Sequence, residues 1–167
     1  VLWQSGQNMY VKDASGDLGY GLVYGSTGQV YQIGDIIEAG FSGQKTTYNT
    51  KPELQSPKGF QPATTYVEVE PDIINPAQVG DAFWAHYVLL EDVKVTVNGN
   101  GGTFTDANGN SCTFFTNTFG VPAPEDTANH DVWGIVAAYK PSGGDVVFQI
   151  LPISFDEKPK REPPTDV

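Results

Sequence analysis

One cysteine, one methionine and two histidines are all the sulfur and imidazole chemistry in these 167 residues. Cys112 has no partner for an internal disulfide, which leaves the redox compartment open. With His86 and His130 it forms too small and too scattered a set for zinc. A Ser–His–Asp arrangement needs an exposed nucleophile beside a histidine. No G-x-S-x-G occurs, His130-Asp131 reads as a surface pair, and Cys112 reads as a small core residue on a strand. Acidic residues are plentiful, but nothing singles out a pair for glycoside hydrolysis. No apolar run reaches the length of a membrane span. Basic residues are scarce as well, with 9 Lys and Arg against 20 Asp and Glu. The chain is therefore expected to be no enzyme, with no cofactor and no metal.

What is present is aromatic and turn-rich. Three Trp, eight Tyr and nine Phe supply a core that a disordered polar chain would lack. Nineteen Gly and twelve Pro favour many turns over a helical bundle. Frequent Val, Ile, Thr and Tyr suit pleated strands. The net charge of −11 is uneven. Residues 1–62 carry 4 basic and 5 acidic groups, whereas residues 86–155 carry 2 and 7. The second half would repel a phosphate backbone, and the nearly neutral first half would not.

Strands are expected at Val1–Trp3, Met9–Lys12, Leu22–Tyr24, from Ile33 to Ile37, and as a hairpin of Lys45–Tyr48 with Glu53–Gln55. A connector with Pro57, Pro62 and Pro71 follows. Asn75-Pro76 predicts a short helix ending by Gly80, with Asn as N-cap and Pro first. Strands return at Tyr87–Val97, Thr103–Thr105, Cys112–Thr116, Asp131–Ala138 and Val146–Ile153. The turn Asp13-Ala14-Ser15-Gly16-Asp17 matches Asp106-Ala107-Asn108-Gly109-Asn110. Gly34-Asp35-Ile36-Ile37 is set against Asp131-Val132-Trp133-Gly134-Ile135, which predicts two copies of one five-strand unit. The two turns begin as calcium loops do, but Gly stands fourth rather than sixth. Their twelfth positions, Tyr24 and Asn117, carry no acid. Tight Asx turns are expected instead. Gly19-x-Gly21-x-x-x-Gly25 precedes a strand and not a helix, so it reads as a flexible turn rather than a phosphate loop.

Asn8–Gly16, as a second strand and its turn, and Tyr31–Ile37, as the opening of a fourth strand, resemble bacterial OB-fold domains. The resemblance covers residues 1–57 and, more loosely, 86–153. It departs where the first copy begins part-way into its first strand, and where neither copy shows a helix between the third and fourth strands. It implies an all-β chain of two tandem five-stranded OB-fold-like barrels with one short linker helix. The divisions are 1–62, a linker at 63–85, 86–155, and a flexible tail at 156–167. As a whole the chain looks like exported, uncharacterised proteins of Bacteroides-type bacteria. That implies a periplasmic or cell-surface module, lipid-anchored through a removed N-terminus. Opening on Val1-Leu2-Trp3 without Met or signal peptide suits a processed chain.

OB-folds commonly bind oligonucleotides or oligosaccharides on the face of strands two and three. Strand alternation puts Met9 and Val11 on one face and Tyr10 and Lys12 on the other. Tyr10, Lys12, Tyr24 and Trp3 are therefore the expected ligand contacts. The expected partner is an oligosaccharide or a protein. Single-stranded nucleic acid is the alternative that the charge disfavours.

Overall fold

The computed structural model describes residues 1–16 and 19–163. Asp17, at the end of the first predicted turn, and residues 164–167 of the predicted tail lie outside them. The protein is all-β and builds two sheets. The first contains β1 (Trp3–Ser5), β2 (Asn8–Lys12), β3 (Tyr20–Tyr24), β4 (Ser42–Tyr48) and β5 (Lys51–Lys58) in the order β1-β2-β3-β5-β4. The second contains β6 (Asp72–Ile73), β7 (Tyr87–Asn98), β8 (Gly101–Thr105), β9 (Ser111–Phe115), β10 (Asn129–Tyr139) and β11 (Val147–Phe155), ordered β10-β11-β9-β8-β7-β6. β10 also pairs antiparallel with β7, from Asn129 opposite Lys94 to Ile135 opposite Tyr87.

Both sheets follow one path. Each has an antiparallel pair joined by the matched turn, then a parallel pair that skips a strand. Those parallel pairs are β3 with β5 and β9 with β11. The matched turns share their chemistry. The Asp13 carboxylate accepts from Ser15 N at 3.1 Å, and the Asp106 carboxylate from Asn108 N at 3.0 Å. Gly16 and Gly109 both sit at φ +83°, where a side chain would be strained. Asp106 also accepts from the side chain and backbone of Asn110, both at 2.9 Å, which holds its carboxyl below the usual range.

Two expectations need correction. Gly34-Asp35-Ile36-Ile37 does not open a strand of either sheet. It is an irregular stretch held to Val1 on one side (Gly34 N to Val1 O, 2.7 Å) and to Thr65 and Val67 on the other. A single bridge joins Asp35 to Tyr66. Gly34 at φ +90° breaks the extended run, and β4 starts only at Ser42. The linker helix is likewise a single 3-10 turn, Pro76–Gln78. Its predicted cap is present: Asn75 Oδ1 accepts from Ala77 N at 2.8 Å, and Gln78 Oε1 accepts from Asn75 N at 2.9 Å. Val79 is already extended, so the turn cannot propagate. A second 3-10 turn, Asp81–Phe83, leads toward β7.

Three apolar clusters hold the sheets. One lies within the second sheet, where Val88, Leu90, Val93, Phe104, Val132, Val136 and Ile150 are fully buried. Phe104 stacks on Phe114 with ring centres 4.4 Å apart. A small cluster of Met9, Val23, Tyr31 and Phe60 serves the first sheet. The third joins the two: Tyr10 of the first sheet, with Leu2 and Ile33 beside it, meets Ala85, Tyr87, Leu89, Trp133, Ile135, Ala137, Leu151 and Ile153. Each such side chain contributes about 1.5–3 kcal/mol relative to exposure. The first sheet, with four buried residues of its own, therefore draws much of its stability from the second.

The described part of the predicted tail has defined partners. Lys158 Nζ donates to Glu70 at 2.7 Å. Arg161 pairs with the buried Asp35 carboxylate at 2.7 Å, donates to Ile33 O at 2.8 Å, and stands 4.0 Å over the Tyr66 ring. Among the described residues no helix is long and apolar enough to cross a membrane.

Candidate ligand-binding cleft

Strand alternation sends Met9 and Val23 into the first sheet's own cluster and turns the intervening side chains toward the second sheet. Cross-strand register then lines those side chains up in two rows. Asn8 lies opposite Tyr24, and Tyr24 opposite Gln55. One step along, Tyr10 lies opposite Leu22, Leu22 opposite Glu53, and Glu53 opposite Thr46. The rows floor a cleft of about 600 Å³. Its far wall comes from the ends of β10 and β11, through Ala137, Ala138, Tyr139, Gln149 and Leu151, with Phe115 and Trp84 beside them.

The hairpin between β4 and β5 closes one end. Asn49 and Thr50 both hold positive φ (51° and 64°), the geometry of a two-residue hairpin turn. Asn49 Nδ2 reaches Ala138 O across the gap at 3.3 Å. Lys51 forms an ion pair with Asp81 and lies over the rings of Trp84 (5.7 Å) and Phe148 (5.6 Å). This cation is thus already engaged.

Around the rim, Tyr24, Tyr48 and Tyr139 are exposed. Deeper in lies Glu53, only 6% exposed, with Oε2 accepting from Gln55 Nε2 at 2.7 Å. The Tyr10 phenol is pushed well above its usual range, first by burial and then by the charge of Glu53. The chemistry on offer is stacking from phenol rings, donors and acceptors from Asn8, Asn49, Gln55 and Gln149, and one buried acceptor in Glu53.

The expected contacts divide. Tyr10 and Tyr24 both line the cleft; Lys12 and Trp3 do not. The alternation that put Tyr10 and Lys12 on one face is present, but that face is not open to solvent. Tyr10 is 5% exposed because the second sheet covers it, and its ring meets Phe119 edge-on at 6.2 Å. Lys12 stays exposed beyond the covered area, with Nζ 5.7 Å from the Tyr20 ring. Trp3 packs half-buried against the inter-sheet cluster. Sequence reasoning missed Glu53, Gln55, Tyr48, Trp84, Tyr139 and Gln149. Glu53-Leu54-Gln55 did carry a signal, since one apolar residue between two polar ones places Glu53 and Gln55 on a common face. Their partners across the cleft lie some eighty residues and more further along.

The remaining reactive groups sit elsewhere. His86 Nδ1 lies 2.7 Å from Asp72, and its ring stacks on Tyr20 at 3.5 Å. His130 lies 2.7 Å from both Asp126 and Asp156, whose hydrogen bonds raise its pKa above the ordinary value. Burial pushes the Cys112 thiol up to about 12, so it is protonated at neutral pH and a poor nucleophile. Comparisons with family models, curated proteins and solved structures give no match.

Proposed function

We propose that the chain is a non-catalytic, exported binding module, built of two tandem OB-fold-like five-stranded barrels, whose inter-sheet cleft holds an oligosaccharide. The shared strand path, with β3 parallel to β5 in the first sheet and β9 parallel to β11 in the second, supports the OB-fold reading. The pairing of β10 with β7 supports a closed second unit. Its ligand face would be that of β2 and β3, where OB-folds commonly bind chains of sugars or bases.

The observation that carries the ligand class is the cleft lining: exposed tyrosines set beside amide side chains, around a neutral-to-acidic floor. Phenol rings stack on the apolar faces of sugars, and amides hydrogen-bond their hydroxyls. Nucleic acid fits worse, because phosphate contacts need free Lys or Arg. Lys51, the one cation of the lining among the described residues, is held by Asp81.

Trp84 provides the readout. Titration with cellohexaose, xylohexaose and mannohexaose is expected to change its fluorescence for at least one sugar. Tyr24→Ala should weaken that sugar about tenfold. A half-exposed ring losing roughly 50 Å² of stacked apolar area forfeits about 1.3 kcal/mol. Binding of single-stranded oligonucleotides at low salt, with no response to any sugar, would reverse the ligand assignment. Fractionation of cells expressing the full-length gene checks the export.

A further inference from the structure

Glu53 is the carboxylate in the lining of the cleft, and only one of its oxygens has a hydrogen-bond donor among the described residues. Its side chain sits in the row Tyr10–Leu22–Glu53–Thr46, on a central strand of the first sheet. It is 6% exposed, and among the described residues its one side-chain donor is the Gln55 amide at 2.7 Å. An ionised carboxylate offers about four lone-pair sites. The oxygen without a donor is not sealed off from the cleft, whose lining includes Glu53. Lys51 does not supply the missing donors, since it is committed to Asp81 at the end of the cleft. The neighbouring Leu22 is apolar, and no hydrogen bond joins the Tyr10 hydroxyl to Glu53 among the described residues. Any ligand that seats here therefore meets a carboxylate still short of donors.

We infer that Glu53 is the specificity-determining acceptor of the cleft, taking two O–H donors from a vicinal diol of a neutral sugar and rejecting acidic sugars. This rests on the oligosaccharide reading above and names its substrate class. Two adjacent hydroxyls can donate to one carboxylate in parallel, as a short charge-assisted pair. A uronate or sulfate would place a second negative charge against Glu53 with no free cation in the lining to offset it. The chain's net charge of −11 adds to that repulsion at longer range. Asn8 and Gln55, in the adjacent row, would serve the next hydroxyls along the ring edge.

The test uses the whole chain and matched probes: cellohexaose, xylohexaose, mannohexaose, and an oligogalacturonide in its methyl-esterified and free-acid forms. Binding is measured by calorimetry for wild type, Glu53→Gln and Glu53→Asp. Wild type should bind one or more neutral probes and bind the free acid at least tenfold more weakly than its ester. Glu53→Gln keeps the shape and should lose at least tenfold on the neutral probe while narrowing the gap between ester and acid. Glu53→Asp keeps the charge but draws it back by one methylene; it should lose neutral affinity and keep the rejection of the acid. Circular dichroism confirms folding of each variant, and either variant alone decides. Neutral binding within twofold of wild type in a folded variant overturns the role of Glu53 but leaves the oligosaccharide reading standing. Wild-type preference for the free acid overturns the role too. Binding of no sugar at all, or of an arginine-rich peptide in place of sugars, overturns both.

Discussion

Tyr10→Ala separates two accounts of the first sheet. If Tyr10 faced solvent as a ligand contact, its removal would cost little stability, within about 0.5 kcal/mol. The structure instead buries the ring to 5% exposure between the sheets, against Phe119 and the inter-sheet cluster. Truncating a buried aromatic costs about 3–5 kcal/mol. The vacated space adjoins the cleft, where water can enter, so the low end applies, about 3 kcal/mol. For a chain of this size each kcal/mol moves the melting temperature by about 2–4 °C, which gives a fall of roughly 6–12 °C. Tyr10→Phe keeps the ring and should stay within about 1.5 kcal/mol of wild type. Differential scanning calorimetry of the three proteins measures this directly. Hydrogen exchange should show the loss spread over β2, β3 and β5 in Tyr10→Ala, because the face they share would come loose. A melting temperature for Tyr10→Ala within about 2 °C of wild type would refute the inter-sheet burial on which the cleft depends.

The other predictions concern supports of the same structure. His130 is held by Asp126 and Asp156, so its folded pKa lies above the ordinary value of about 6.5. Stability from the charged ring is then fully present below pH about 6.5 and lost as pH rises through the raised value. The urea midpoint should fall between pH 6 and 8.5 in wild type and fall less in His130→Gln, and equal slopes would discard the linkage. Gly34→Ala should destabilise by roughly 1–3 kcal/mol or more, since φ is +90° and the new Cβ would run into the Val67 carbonyl; thermal melts check it. Residues 1–62 alone, which keep the cluster of Met9, Val23, Tyr31 and Phe60 but lose the cover over Leu2, Tyr10 and Ile33, should show no cooperative melt by near-ultraviolet circular dichroism, and a sharp transition would contradict the shared core.

Much of the fold was legible because its signals are local. The matched turns were readable from Asp and Gly spacing, and the N-cap from Asn75-Pro76. The long strands were readable from runs such as Tyr87–Val97. The start of the fourth strand was not. Ile33–Ile37 has the composition of a strand, yet Gly34 at positive φ and the hydrogen bonds to Val1, Thr65 and Val67 keep it irregular. Those partners are set by tertiary packing, which composition does not encode. The site divides for the same reason. Period-two alternation put Tyr10 and Lys12 on one face correctly, but alternation only says that two faces differ. Which face meets water depends on what packs there, and the covering residues, among them Trp133, Ile135 and Leu151, come more than 120 positions later.

That covering is why the proposed ligand site is put between the sheets and not on the open face of either. Leu2, Tyr10 and Ile33 anchor the contact at one end, and the hairpin tip at Asn49 and Lys51 touches the second sheet at the other. The lining of the gap sets Asn8, Gln55 and Gln149 among apolar and aromatic residues such as Leu22, Tyr24, Ala137 and Leu151. Full closure of the gap would bury the amides of Asn8, Gln55 and Gln149 against these apolar neighbours. The gap is therefore built into the sequence of the rows. Larger apolar residues at Asn8 and Gln55 would be expected to zip it shut, raising stability while abolishing the proposed binding.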